Sequence, residues 1–190
     1  MVFGLLFPLG IGAARTTAFA GARRVVAPAD LGALTWLSRY AARDSVVVTE
    51  GDVWHTNEFD VPSDAGRWIP VVGGPHPLFQ LGGVGPGAID DRYYLLRHIA
   101  DAPLPPRAAR FVAQYHVRYV FYGAIVRVYT RRTLDLSRLL ADPSLRLAYT
   151  SAAACRSGAA YSPAACPPNG SYVFALNALG DQYALARAAR

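Results

Sequence analysis

Asp52, His55 and His76 are residue types that can hold a divalent cation or hydrogen-bond a sugar hydroxyl, and they fall in two polar loops, 51–64 and 73–87. Trp54 and Trp68 add indole faces of the kind that stack on sugar rings. Together Asp52, Trp54, His55, Trp68 and His76 form the candidate binding set. The bland account is that these are ordinary loop residues and that Trp68, inside an apolar run, is core. The histidines (His55, His76, His98 and His116) show no HExxH or HxH spacing, and the chain has no GxSxG elbow and no Cys/His pair at catalytic spacing. No catalytic residue, metal site or cofactor is therefore assigned. The run Gly82-Gly83-Val84-Gly85-Pro86-Gly87 precedes a helix, but it matches neither GxGxxG nor the P-loop pattern. Pro86 removes an amide donor, and Asp90 with Asp91 would oppose an anion there, so the run reads as a turn-forming loop.

Cys155 and Cys166 are the only cysteines and share one Ala/Ser/Gly/Pro-rich loop. Free surface thiols are generally avoided, and so short a loop closes easily, so a disulfide is expected. Such a bond points outside the cytoplasm.

The elements that must position these residues follow from periodicity. A helix is expected from Asp30, read as its N-cap, to about Ala42, with Leu31, Leu34, Trp36, Leu37 and Tyr40 at helical spacing. Val46-Val47-Val48-Thr49 reads as a buried strand and Trp68-Ile69-Pro70-Val71-Val72 as a second. Helices are expected over 90–100 and 108–115, the second led by Pro105-Pro106, then a strand within 117–128 and a short helix over 133–140. The segments 145–150 and 172–176 read as a terminal antiparallel hairpin whose long tip carries the cysteines. Strands alternating with helices and closing on a hairpin imply an α/β three-layer sandwich with a mixed, mostly parallel sheet. Function in such sheets usually sits in loops at the carboxyl ends of strands, which would bring 51–64 and 73–87 into one cleft.

The chain has 190 residues, 53% of them hydrophobic and 17% charged. That length supports one core without staples and excludes disorder and coiled coil. Every one of the 19 basic residues is Arg, giving a net charge of +6. The arginines are scattered from Arg15 to Arg190, unlike the concentrated basic face of a nucleic-acid binder, so no nucleic-acid partner is expected. Residues 2–14 are apolar but too short to span a bilayer, and they lack the basic residues that precede a signal core. They read as the end of a transmembrane helix or as a signal-like segment. The expected organisation is an apolar segment over 1–24, one soluble domain over 25–178 and a tail over 179–190.

One order of segments stands out. Thr35-Trp36-Leu37 is followed by Val46-Val47-Val48, Asp52-x-Trp54, the run Gly66-Arg67-Trp68-Ile69-Pro70-Val71-Val72-Gly73-Gly74, and His116-Val117-Arg118-Tyr119-Val120-Phe121-Tyr122-Gly123. Leu145-Arg146-Leu147-Ala148-Tyr149 and Tyr172-Val173-Phe174-Ala175-Leu176 close it. Over about residues 25–178 this order resembles the C-terminal extracytoplasmic domain of actinobacterial multi-spanning membrane proteins related to polyprenyl-phosphate-sugar-dependent glycosyltransferases. In that family the catalytic carboxylates lie between early transmembrane helices that this chain lacks. The resemblance therefore implies a domain that is non-catalytic by itself and assists acceptor or glycan binding in cell-envelope glycan assembly. Its partners would be the membrane-embedded remainder of a longer protein, or a membrane partner, with a glycan or lipid-linked sugar. The alternatives are a free-standing small α/β enzyme or a secreted interaction module, either using the Asp52/His55/His76 loops.

Overall fold

Three consecutive valines have no polar alternation and suit a strand covered on both faces, and Val46–Val48 is such a strand, β1, fully buried. The computed structural model describes residues 26–53, 60–62, 64–78, 86–125, 132–153, 155 and 164–176. Their elements in chain order are α1 (Pro28–Tyr40), β1, β2 (Gly51–Val53), β3 (Asp60–Pro62), a 3-10 helix (Ala65–Trp68) and β4 (His76–Pro77). After them come α2 (Pro86–His98), α3 (Pro106–Gln114), β5 (Val117–Tyr122), α4 (Leu136–Ala141), β6 (Leu145–Thr150) and β7 (Tyr172–Leu176).

The main sheet has the order β4-β1-β5-β7-β6. β4, β1 and β5 run parallel, β7 pairs antiparallel with β5, and β6 pairs antiparallel with β7. Successive side chains of a strand point to opposite faces, and here each face meets its own layer of helix. On one face Ala33, Leu34 and Leu37 of α1, with Ala65 and Ile69, pack on Val47, Phe121 and Val173. On the other, Leu95 and Leu96 of α2, Ala108 and Val112 of α3 and Leu136 and Leu139 of α4 pack on Val48, Val120, Tyr122, Tyr172 and Phe174. The fold is thus the expected three-layer α/β sandwich, with the antiparallel strands at the C-terminal end of the sheet.

Cys155 and Cys166 form a disulfide with a Cα–Cα distance of 4.8 Å. Both are buried in the core beneath α2, α3 and α4. Among the described residues no helix is long and apolar enough to cross a membrane. The apolar segment 1–24 and the tail 179–190 lie outside the described residues.

Local differences from the sequence expectation have physical causes. The run from Trp68 to Val72 is not a strand. Pro70 has no amide hydrogen to give a ladder. The chain instead closes on itself, with the amides of Val71 and Val72 donating to the Trp68 carbonyl, Gly73 to Pro70 and Gly74 to Ile69. The edge strand beside β1 is the later pair His76–Pro77. The loop after β1 carries a small hairpin of its own, β2 with β3. Asp30 is not the N-cap of α1: the cap position is Ala27, and Asp30 reaches back from the first turn to accept its amide at 2.7 Å. The helix expected over 133–140 begins later, at Leu136, because Asp135 accepts the amides of Ser137 and Arg138 and caps it.

Candidate functional site at the carboxyl edge of the parallel strands

Parallel strands send their connections out from the carboxyl edge, so residues just past β1 and β5 meet there. Past β1 come Thr49 and Glu50; past β5 come Gly123 and Ala124. Asp64, which starts the 3-10 helix, and Asp30, in the first turn of α1, enter the same edge from one helical layer. Asp30, Glu50 and Asp64 have no solvent exposure at all.

A carboxylate without water is tolerable only if its oxygens are hydrogen-bonded. Here the donors are almost all main-chain amides. Glu50 accepts the amides of Thr133 at 2.8 Å and Leu134 at 2.9 Å, one on each oxygen. Asp64 takes the amide of Gly66 at 2.9 Å on Oδ1 and that of Gly123 at 3.2 Å on Oδ2. Asp30 accepts the amide of Ala124 at 2.8 Å and the hydroxyl of Ser171 on Oδ1, while Oδ2 holds Ala27. Each carboxylate thereby ties segments far apart in sequence to a strand end.

Arg132 is the cation of this edge. Its guanidinium lies 3.9 Å from the centre of the Tyr122 ring and donates to the Gly123 carbonyl at 2.8 Å. Gly123 is therefore held on both sides, its amide by Asp64 and its carbonyl by Arg132. The approach is close: a Cβ there would sit 3.0 Å from Asp64 Oδ2 and 3.1 Å from the Phe121 ring, so these neighbours would have to give way. Gly66 is still more confined: a Cβ would come within 2.4 Å of Thr49 Cγ2.

Burial pushes the Asp64 carboxyl up to about 8, and the nearby Glu50 charge adds to the rise against the opposing pull of the Gly66 amide and Arg132. Burial also raises Glu50, opposed by the Leu134 and Thr133 amides and by Arg132. Two carboxyls with raised proton affinity resemble an acid/base pair, but the geometry argues otherwise. A general acid or base must come within hydrogen-bond reach of a substrate proton. The described oxygens of both groups face protein amides and are closed to solvent, so their role is to join strand ends. The described residues contain no group of three or more His, Cys, Asp or Glu side chains arranged to hold a metal ion.

The residues singled out from sequence are dispersed. Asp52 lies in β2 opposite Val61, beyond the last residue of β1. His76 lies in β4, exposed, and pairs with Val46, the first residue of β1. The two therefore sit toward opposite ends of that strand rather than beside one another. The expected shared cleft required a strand over 68–72, and that segment is a turn. Trp54 and His55 lie outside the described residues. Trp68 is 44% exposed, so it is not the core residue its apolar neighbours suggested. Comparison of the chain with family models, curated proteins and solved structures found no match.

Sequence reasoning passed over Glu50, Asp64 and Arg132. The signal was present for Glu50: an acid two residues past a fully apolar strand stands at the strand end, where the connections of a parallel sheet meet. Asp64 and Arg132 carried none, because their partners lie 59 and 9 residues away along the chain.

Proposed function

We propose that this chain is the extracytoplasmic soluble domain of a membrane glycosyltransferase-like protein, non-catalytic by itself, which helps hold an acceptor or glycan near the bilayer during cell-envelope glycan assembly. The observation that carries the reading is the Cys155–Cys166 disulfide, buried in the core and so built into the folded state. Bonds of this kind persist in oxidising compartments. The sealed carboxylates support the non-catalytic half of the reading, since Glu50 and Asp64 spend their oxygens on amides, and β2, which carries Asp52, and β4, which carries His76, lie toward opposite ends of β1. The partner in this reading is the membrane-embedded remainder of a longer protein, or a separate membrane protein, together with a glycan or lipid-linked sugar. The order of segments from Thr35 to Leu176 supports the family assignment.

Two measurements test it. The chain exported to an oxidising compartment, analysed by mass under non-reducing conditions, should contain no alkylatable thiol; two free cysteines would remove the basis for the extracytoplasmic placement. The purified chain should neither transfer nor hydrolyse a polyprenyl-phosphate sugar. Turnover abolished by Asp52→Ala would replace the reading with a free-standing enzyme.

A further inference from the structure

Trp68, Val71 and Val72 are 44%, 70% and 40% exposed, and all three belong to one turn. Apolar side chains so close together are rarely left in water without a use. The turn is not a slack loop. Ile69 anchors it in the core at zero exposure, Gly73 adopts a left-handed φ of 78°, and the main-chain bonds to Trp68, Ile69 and Pro70 close it. Ser38 of α1 also donates to the Val72 carbonyl at 2.6 Å. The fold thus fixes the backbone and directs an indole and two valines outward.

The neighbouring charge is positive. Arg39 follows Ser38 on the exposed side of α1, and Arg43 lies just past the end of that helix. Among the described residues neither makes an ion pair, and the exposed Asp44 follows Arg43 in sequence. Apolar side chains beside unpaired cations suit the interface of an anionic bilayer, where Trp sits at headgroup level and Arg meets phosphate. A protein partner fits less well, because a stable interface needs about 800 Å² per side and a single turn offers far less.

We propose that the turn 68–74 docks this domain on an anionic lipid surface, with Trp68, Val71 and Val72 entering the headgroup region and Arg39 and Arg43 facing lipid phosphates. The proposal rests on the placement beside a bilayer argued above and supplies the contact that placement lacks. It also fixes the orientation of the domain, with the α1 layer toward the membrane and the α2, α3 and α4 layer away from it.

The test uses the full chain carrying one added cysteine, labelled with an environment-sensitive dye at Val71→Cys or, as the control on the opposite layer, at Gln114→Cys of α3. Mixed phosphatidylglycerol and phosphatidylcholine vesicles should blue-shift the dye at position 71 and raise its emission severalfold, with no change at 114. The control at 114, on the opposite layer, excludes a response that comes from vesicle contact in general. Arg39→Gln with Arg43→Gln should weaken vesicle affinity severalfold, as should added salt. The proposal is overturned by a silent dye at 71, by equal responses at 71 and 114, or by affinity unchanged in the arginine variant. It is equally overturned by a shift at 71 without vesicles, whether on raising protein concentration, which would mean a second copy, or on adding a soluble cell-wall oligosaccharide. None of these outcomes alters the thiol measurement, so failure of docking and failure of the extracytoplasmic reading remain separate.

Discussion

The carboxyl edge of the parallel strands and the Trp68–Gly74 turn invert the usual distribution of polarity. At the edge three carboxylates are sealed from water. At the turn an indole and two valines face it. Both regions are held by hydrogen bonds to main-chain groups, but the edge takes its acceptors from three buried carboxylates, whereas the turn is closed mainly by its own backbone, with Ser38 and the buried Ile69 as its ties to the core, and leaves Trp68, Val71 and Val72 facing water. Burial of an ionisable group by itself does not mark a working site. What distinguishes a surface available to a partner is a fixed backbone whose side chains have no internal task.

That contrast can be broken most severely at Asp30. Asp30→Ala leaves the amides of Ala27 and Ala124 and the Ser171 hydroxyl without their acceptor. A loss of about 3–5 kcal/mol is expected in chemical denaturation, given about 1–3 kcal/mol for each buried group left unpaired and partial relaxation. A change under 1 kcal/mol would mean that the edge is not held by its carboxylates. Replacing both Cys155 and Cys166 by Ala should cost about 3 kcal/mol through the loop they close, with secondary structure retained.

The third expectation concerns pH. Folded Asp64 keeps its proton up to about 8, whereas the unfolded chain releases it near 3.8. Its contribution is fully present below the unfolded value and declines as pH rises toward 8, by at most about 1.4 kcal/mol per pH unit. Thermal midpoints measured from pH 5 to 8.5 should fall, and Asp64→Asn should flatten that slope even though it lowers the midpoint at pH 5. A slope of equal steepness in the variant would assign the effect elsewhere. The smallest effect is expected at the turn: Val71→Asp should shift stability by less than about 0.5 kcal/mol, because nothing packs against an exposed side chain. A large loss there would show that the turn is part of the core after all.

The fold was legible in sequence wherever one rule governed a segment. Val46–Val48 has no polar option, Pro105-Pro106 marks the start of α3, and Leu145–Thr150 with Tyr172–Leu176 pairs as the expected antiparallel strands. It was misread where two rules competed. From Trp68 to Val72 the apolar composition favoured a strand and Pro70 forbade one, and hydrogen bonding prevailed over composition. The edge was illegible for a different reason. A carboxylate that caps amides 59 or 83 residues away looks, in sequence, like any surface acid. Asp30 was noticed only for a local role, while its bond to Ala124 spans 94 residues.

The position of β7 between β5 and β6 carries a consequence for how the chain is made. As synthesis proceeds from the amino end, β1, β4 and β5 can assemble, but β5 then presents an unpaired margin and β6 has nothing to join. Both vacancies persist until Tyr172–Leu176 emerges and closes them in one step, a vulnerable interval in which exposed strand margins invite association with other chains. The Cys155–Cys166 link lies within the stretch that must be crossed before that step. Once oxidised it shortens the tether between β6 and β7, so the redox state of the compartment would set how quickly the last strand finds its slot.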